Sequence, residues 1–273
     1  MRACQSLTAR HAALASVLAA LCLGPGGVLA QGFALYVSPP RLELQAKAGE
    51  NRRHVLELHH VGNQAGQFRF YTNDWALRDD GTVDFRDALA PDSCRPWVAL
   101  ERRELTINPN GKYRYRLEVT PPAGTPAREC RFALMIEGLD TTAVDQGSFK
   151  FPVAGRIGVI AYVQVGGATP RLKIGTTSVK DGKSGPIPVI EVTNEGNATG
   201  RLDGFLSATD ASGAEFEMAP DNSPILPGMT RSIALLPVAE EGRKVPTIQL
   251  PLAVKGTVEW GRNRETLNLR FAR

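Results

Sequence analysis

The side chains in this 273-residue chain with types suited to chemistry are His54, His59 and His60, the acids Asp79, Asp80 and Asp84, and the cysteines Cys94 and Cys130. Imidazoles hold transition metals and carboxylates hold calcium, but each needs a complete ligand set. His59 and His60 are adjacent, so on a strand they point to opposite faces, and no cysteine or carboxylate set nearby closes a shell. Asp79-Asp80-Gly81 with Asp84 lacks the spacing of a calcium loop and reads as a solvated turn. No glycine-rich phosphate loop, nucleophile elbow or cleft pair of carboxylates is evident. The expectation is no catalytic residue, no metal and no cofactor, hence not an enzyme. What remains is recognition: arginines, apolar strands, and a pair of cysteines.

Those elements sit in an exported chain on the evidence of residues 1–30. Arg2 and Arg10 precede the apolar run Ala12–Cys22, which is too short to span a bilayer, and Val28-Leu29-Ala30 ends on a small residue. This is read as a signal peptide cleaved after Ala30. Leu21 is bulky where a lipoprotein signal needs a small residue before Cys22. No later segment has the length and apolarity of a membrane helix, so no membrane insertion is expected. The leader takes two arginines and no acid, lowering the formal charge from +4 to +2. That balance does not suit nucleic acid. Cys4 and Cys22 leave with the leader, and in an oxidising compartment the remaining Cys94 and Cys130 are most simply a disulfide, two free buried thiols being the competing state.

Short alternating runs separated by Pro, Gly, Asn and Asp, without a sustained helical period, predict an all-β chain. Strands are expected at Val55–Leu58, Phe68–Tyr71, Tyr113–Val119, Phe132–Ile136, Val189–Val192 and Leu267–Phe271, with hairpin-type turns at Asp80-Gly81 and Asn110-Gly111. An internal echo divides the chain. Pro40-Arg41-Leu42-Glu43-Leu44 recurs as Pro170-Arg171-Leu172-Lys173-Ile174, and Glu57-Leu58 with Gly62-Asn63 recurs as Glu191-Val192 with Gly196-Asn197. The ordered repeat predicts tandem immunoglobulin-like sandwiches over 31–166 and 167–273, joined at Gly166-Gly167-Ala168.

One segment stands out within that plan. Gly147–Val165 reads as a single long strand whose Phe149, Phe151, Val153, Ile157 and Val159 share one face, while Lys150 and Arg156 lie on the other. Pro152 donates no backbone hydrogen bond, which favours a sheet edge. An apolar comb on an edge invites strand addition by another chain, although such residues also serve as the ordinary core of a last strand.

The chain resembles the periplasmic pilus-assembly chaperones of the PapD-like kind. The resemblance is carried by Tyr36-Val37-Ser38-Pro39-Pro40-Arg41-Leu42-Glu43-Leu44, by Gly49-Glu50, by Trp75 closing a strand, and by the long strand before the joint. It implies a periplasmic chaperone that caps pilus or fimbrial subunits by donor-strand complementation before delivery to an outer-membrane usher. The lent strand would be Phe149–Val153, with Phe149, Phe151 and Val153 filling subunit pockets. The basic residue holding the subunit's C-terminal carboxylate would be Arg41.

The departures are specific. Gly158 falls where the second basic anchor is expected, with Arg156 two residues earlier on the same face as the candidate substitute. Tyr162 falls where a cleft arginine would tie the domains together. Gln64-Ala65-Gly66 replaces a proline in the turn ahead of the Trp75 strand, and the Cys94/Cys130 pair is an addition. Arg41 and Arg156 are otherwise ordinary surface charges, and Arg171 repeats the Pro-Arg-Leu motif in the second half. The competing function is a secreted two-domain adhesive or structural pilus component without chaperone activity.

Overall fold

The computed structural model describes residues 33–272 apart from 92, 140–141, 147–148, 154 and 240–245, with 142–146 and 149–153 described by backbone alone. The expected leader, 1–30, lies outside the described residues, as do the side chains of Phe149, Phe151 and Val153.

Alternation of apolar and polar residues produces the first sandwich. In β2 (Arg41–Ala46) Leu42, Leu44 and Ala46 turn inward and Arg41, Glu43 and Gln45 outward. One sheet runs in the order β1 (Leu35–Ser38), β3 (Arg52–His60), β8 (Lys112–Val119), β6 (Val98–Leu100). The facing sheet runs β2, β12 (Arg156–Val165), β9 (Arg128–Gly138), β4 (Gly66–Leu77), β5 (Val83–Arg86), and β7 (Glu104–Ile107) also pairs with β4. Between them lies one core that includes Leu56, Leu58 and Leu117 from the first sheet and Phe132, Leu134, Ile136, Ala161 and Val163 from the second. Phe70 and Tyr115 stack across it with ring centroids 4.2 Å apart. Rings at this spacing add to the benefit of burial itself.

The predicted strand runs fall in β3, β4, β8 and β9 here, and in two strands of the second sandwich. Asp80-Gly81 closes the β4–β5 hairpin, where Asp80 accepts hydrogen bonds from the Thr82 amide (2.9 Å) and hydroxyl (2.6 Å). Asn110-Gly111 differs from expectation. It joins β7 to β8, which lie in opposite sheets, so it is a crossing between layers and not a hairpin. The left-handed backbone that marks such turns, φ 54° at Asn110, serves either connection.

The single strand expected over Gly147–Val165 is two strands. β11 (Phe149–Val153) pairs antiparallel with β10 (Thr142–Gln146) as a separate two-stranded ribbon, and β12 begins at Arg156. The junction falls next to Gly155, which still pairs with β9 by accepting from the Gly138 amide at 2.9 Å, and against which the Phe33 side chain packs so closely that no Cβ fits. Period-two reading of the sequence has no means of registering that contact from a residue 122 positions away in the chain.

Cys94 and Cys130 form a disulfide with Cα atoms 6.0 Å apart, tying the 3-10 turn Arg95–Trp97 to β9. Closing a loop of 36 residues' separation stabilises by about 3–4 kcal/mol in the chain-entropy account.

The second sandwich is one seven-stranded sheet in the order β13 (Leu172–Gly182), β14 (Gly185–Asn194), β17 (Thr230–Pro237), β16 (Glu215–Pro220), β15 (Leu206–Thr209), β18 (Leu252–Trp260), β19 (Asn263–Phe271). It folds over on itself, since Leu172 from one end and Leu267 and Phe271 from the other share a core. Val189–Val192 and Leu267–Phe271 lie in β14 and β19 as predicted.

The two cores meet at a turn through Gly166 (φ 63°) and Gly167 (φ 78°), a consecutive left-handed pair that glycine tolerates best. The joint is hydrogen-bonded across. The Glu129 amide donates to Asn197 O at 2.8 Å and Asn197 Nδ2 donates to Ala127 O at 2.7 Å. The fully buried Glu129 carboxylate accepts from the Thr199 amide at 2.7 Å and hydroxyl at 2.5 Å, and Arg131 lies 3.2 Å from it. Charge-assisted bonds of this kind are the stronger class of hydrogen bond.

Candidate functional site

β12 is the element on which the candidate residues converge. It is antiparallel to β9 over its whole length, but parallel to β2 only from Ile160↔Arg41 to Val165↔Ala46. Before Arg41 the chain leaves this sheet, because β1 pairs with β3 in the other one. The side of Arg156–Val159 away from β9 therefore has no strand partner among the described residues. Unpaired backbone of this kind is a template for another chain.

The two faces of β12 do different work. Val159, Ala161, Val163 and Val165 are core residues and Ile157 packs against them. Of the expected comb, Ile157 and Val159 thus belong to the fold of the first sandwich. The outward face carries, in order, Arg156, Gly158, Ile160, Tyr162 and Gln164. Arg156 is exposed, and its Nη1 donates to the Tyr71 hydroxyl at 3.3 Å, a contact that raises its proton affinity further. Gly158 lies under the Phe85 ring from β5, so no side chain fits there. The space expected for a second basic anchor is filled by an aromatic ring.

Arg41 stands at the point where β2 starts, exposed, with its Nε donating to Glu43 Oε1 at 2.8 Å. Arg156 is four residues before Ile160, the strand partner of Arg41. At about 3.3 Å per residue that is roughly 13 Å along the strand. The fold places Arg41 and Arg156 on one outward face with Phe85 between their positions.

Tyr162, paired with Glu43 in the parallel register, does tie the sandwiches together, with the partners exchanged. Arg201 of the second sandwich reaches back, its Nη2 donating to the Tyr162 hydroxyl at 3.1 Å and its guanidinium lying 5.6 Å from the ring centroid. Trp75 packs edge-on against the same ring at 5.7 Å. Burial raises the Tyr162 hydroxyl above its ordinary value, opposed by the positive charges of Arg201, Arg131 and Arg41. A sequence reading that expects an arginine on the strand has no signal for one arriving from the other domain.

Tyr162 and Arg201 belong to the wall of an interdomain cleft of about 850 Å³. Its charged lining consists of Lys47, Arg52, Arg201 and Arg262 against Glu43 and Glu129, and Glu129 is already matched at the joint. The cleft is net cationic.

The histidines take structural positions. His60 is buried, with Nδ1 3.0 Å from Ala34 O and Nε2 2.8 Å from Gln64 O, so its ring organises the turn in which Gln64-Ala65-Gly66 stands instead of a proline. Burial first, then the charge of Arg52, lowers His54 below the usual imidazole range. Among the described residues no group of three His, Cys, Asp or Glu is arranged to hold a metal ion, and no helix is long and apolar enough to cross a membrane.

No protein family model matches the chain, and no curated protein does. Among solved structures it is similar to the YadV chaperone, at 13% identity over 86% of this chain and 98% of that one, with a TM-score of 0.46. It is similar to the SafB chaperone, solved with the SafA pilin of Salmonella enterica, at 11% identity over 88% and 98% of the chains with a TM-score of 0.46. A third is the CsuC–CsuE chaperone–tip subunit complex of Acinetobacter baumannii, at 13% identity over 88% and 100% with a TM-score of 0.44. Alignments at this level describe a likeness, and the functional reading stands on the residues of this chain.

Proposed function

We propose that this protein is a periplasmic chaperone that caps pilus or fimbrial subunits by lending them an edge strand and delivers them to an outer-membrane usher. The observation that carries the reading is the open side of Arg156–Val159, ending at Arg41 where β2 takes over the pairing. A strand added there occupies the line that β2 leaves vacant. For its terminal carboxylate to meet Arg41 it runs parallel to β12, so the anchor sets both direction and register. Register matters because a slip of one residue turns every side chain to the wrong face.

Phe149, Phe151 and Val153 on the preceding strand fill the subunit's pockets in this account, each contributing roughly 1.5–3 kcal/mol gross. Rigid-body and ordering costs consume much of that sum. Arg41 adds about 1.5–3 kcal/mol as a charge-assisted bond when desolvated. Arg156, farther along the same face, engages the body of the added strand, and no cofactor or metal takes part.

The test is recovery of the tagged protein from the periplasm of its own organism together with pilus subunits. Phe151→Asp and Arg41→Ala are expected to lose the subunit while keeping the wild-type melting profile. Retention of the subunit by both variants contradicts the reading.

A further inference from the structure

Ala133 and Met135 are buried on the wrong side of their sheet. β9 alternates, sending Phe132, Leu134 and Ile136 into the core, so Ala133 and Met135 point outward. Both are nonetheless fully buried, and neither belongs to that core. The described element that crosses this face is the β4–β5 hairpin. β4 pairs with β9 only as far as Asn73↔Ala133, and from Asp74 to Leu77 it pairs with β5 instead. In a flat sheet β5 would stand three strands from β12, about 14 Å away. Its Phe85 ring nevertheless lies on Gly158, the register partner of Met135, so the hairpin folds back across β9.

This cover is held unevenly. At its base Asp74 accepts from the Ala90 amide at 3.0 Å and the Ser93 hydroxyl at 2.6 Å, Arg95 Nη1 donates to Asp87 O at 2.7 Å, and Cys94 is disulfide-bonded to β9. β5 itself has one strand neighbour among the described residues and no fully buried side chain. At its turn the contact with the second sandwich, Arg231 Nη1 to Arg78 O, is long at 3.5 Å. An element with so few buried contacts opens locally at a cost well below that of the whole domain. Phe85 also obstructs the open edge. Side chains directly across neighbouring strands stand about 5 Å apart, so an outward side chain placed beside Gly158 by an added strand meets the ring.

We propose that β5 is a lid on the outward face of β9 and β12, hinged at its pinned base, latched by Phe85, and lifted for strand addition. The lifting step rests on the strand-addition reading, but the lid itself does not. Closed, the lid keeps Met135 and Gly158 from solvent while leaving the sandwich core untouched. Capture requires the open form, so the fraction of molecules with the lid open scales the apparent affinity for the added strand. A partner that binds only the open form draws the population toward it.

The probe is hydrogen peroxide, which oxidises an accessible methionine thioether to the sulfoxide, read by peptide mass on the full chain. Met135 is expected to oxidise at a rate insensitive to urea below the unfolding transition, the mark of an opening that exposes little surface. Met218, fully buried in the second core, is expected to oxidise only as urea approaches that transition. Phe85→Ala is expected to raise the Met135 rate about tenfold, as loss of a half-buried aromatic latch implies. The same variant is expected to tighten subunit capture about fivefold. A Met135 rate that climbs with urea in step with unfolding, or that Phe85→Ala leaves unchanged, overturns the lid. Capture that is no tighter with Phe85→Ala overturns the gating role. A locally opening Met135 with no subunit captured by either form leaves the lid standing and removes the strand-addition reading.

Discussion

Arg41 and Arg171 begin the same local motif, Pro-Arg-Leu, one in each sandwich, and the fold gives them different surroundings. Arg171 precedes β13, which pairs with β14 through to Gly182↔Gly185, and its guanidinium is spent on its own domain: Nη2 donates to Glu195 O at 3.0 Å and Nε lies 3.7 Å from the Glu195 carboxylate. Arg41 instead starts a strand that covers only the second half of β12, so it stands at the end of an open edge. The motif by itself specifies a first strand. What turns one copy into a candidate anchor is the shift of β1 to the opposite sheet, which leaves part of β12 unpaired. The sandwiches also differ in how their loops are pinned: a disulfide in the first, and in the second Asp210, whose Oδ1 accepts from the Ser212 hydroxyl at 2.6 Å and from the Ser212 and Ala214 amides.

The largest contrast to test is the covalent one. Reduction of Cys94–Cys130 is expected to destabilise the first sandwich by about 3–4 kcal/mol and leave the second unchanged, seen in calorimetry as the downward shift of one transition only. Next comes the pair of motif arginines. Arg41→Ala is expected to weaken subunit capture about 10- to 100-fold, the equivalent of 1.5–3 kcal/mol, while Arg171→Ala stays within about twofold. Equal losses would erase the distinction between the two copies. Gly158→Ala forces a methyl into the Phe85 ring and is expected to cost about 1–3 kcal/mol in denaturant unfolding. Gly158→Lys is expected to lose at least as much stability and restore no anchor.

The smallest effect is acid sensitivity of the second sandwich. The Ser212 hydroxyl, followed by the Ser212, Ala214 and Gln249 amides, holds Asp210 below the ordinary carboxylate value despite desolvation. A carboxyl depressed in the folded state stabilises fully above its unfolded value near pH 4 and loses that contribution as pH falls through the folded one. Asp210→Asn is expected to remove this acid-dependent drop in the second transition and to leave the first unaffected.

Much of the fold was legible because strand alternation, turn residues and an ordered internal repeat are local signals. Leu42, Leu44, Leu56, Leu58 and Val192 are buried where the period-two pattern puts them. The disulfide was legible because only one pair of cysteines remains once residues 1–30 are set aside. The site was less so, for reasons that are all long-range. The close packing at Gly155 depends on Phe33, and the filling of the Gly158 position depends on Phe85. The domain tie depends on Arg201 approaching Tyr162 from 39 residues away. None leaves a mark at the position it controls, except the glycines themselves. Gly155 and Gly158 were the available clue: a glycine in a strand signals that something approaches its backbone closely.

Hydrogen exchange of the captured complex against the free protein tests the central claim most directly. The account predicts new amide protection in the β11–β12 segment from Phe149 to Val159, with no comparable change at two edge strands elsewhere in the fold, β1 and β13. Protection at β1 or β13 with an unchanged Phe149–Val159 segment would contradict it.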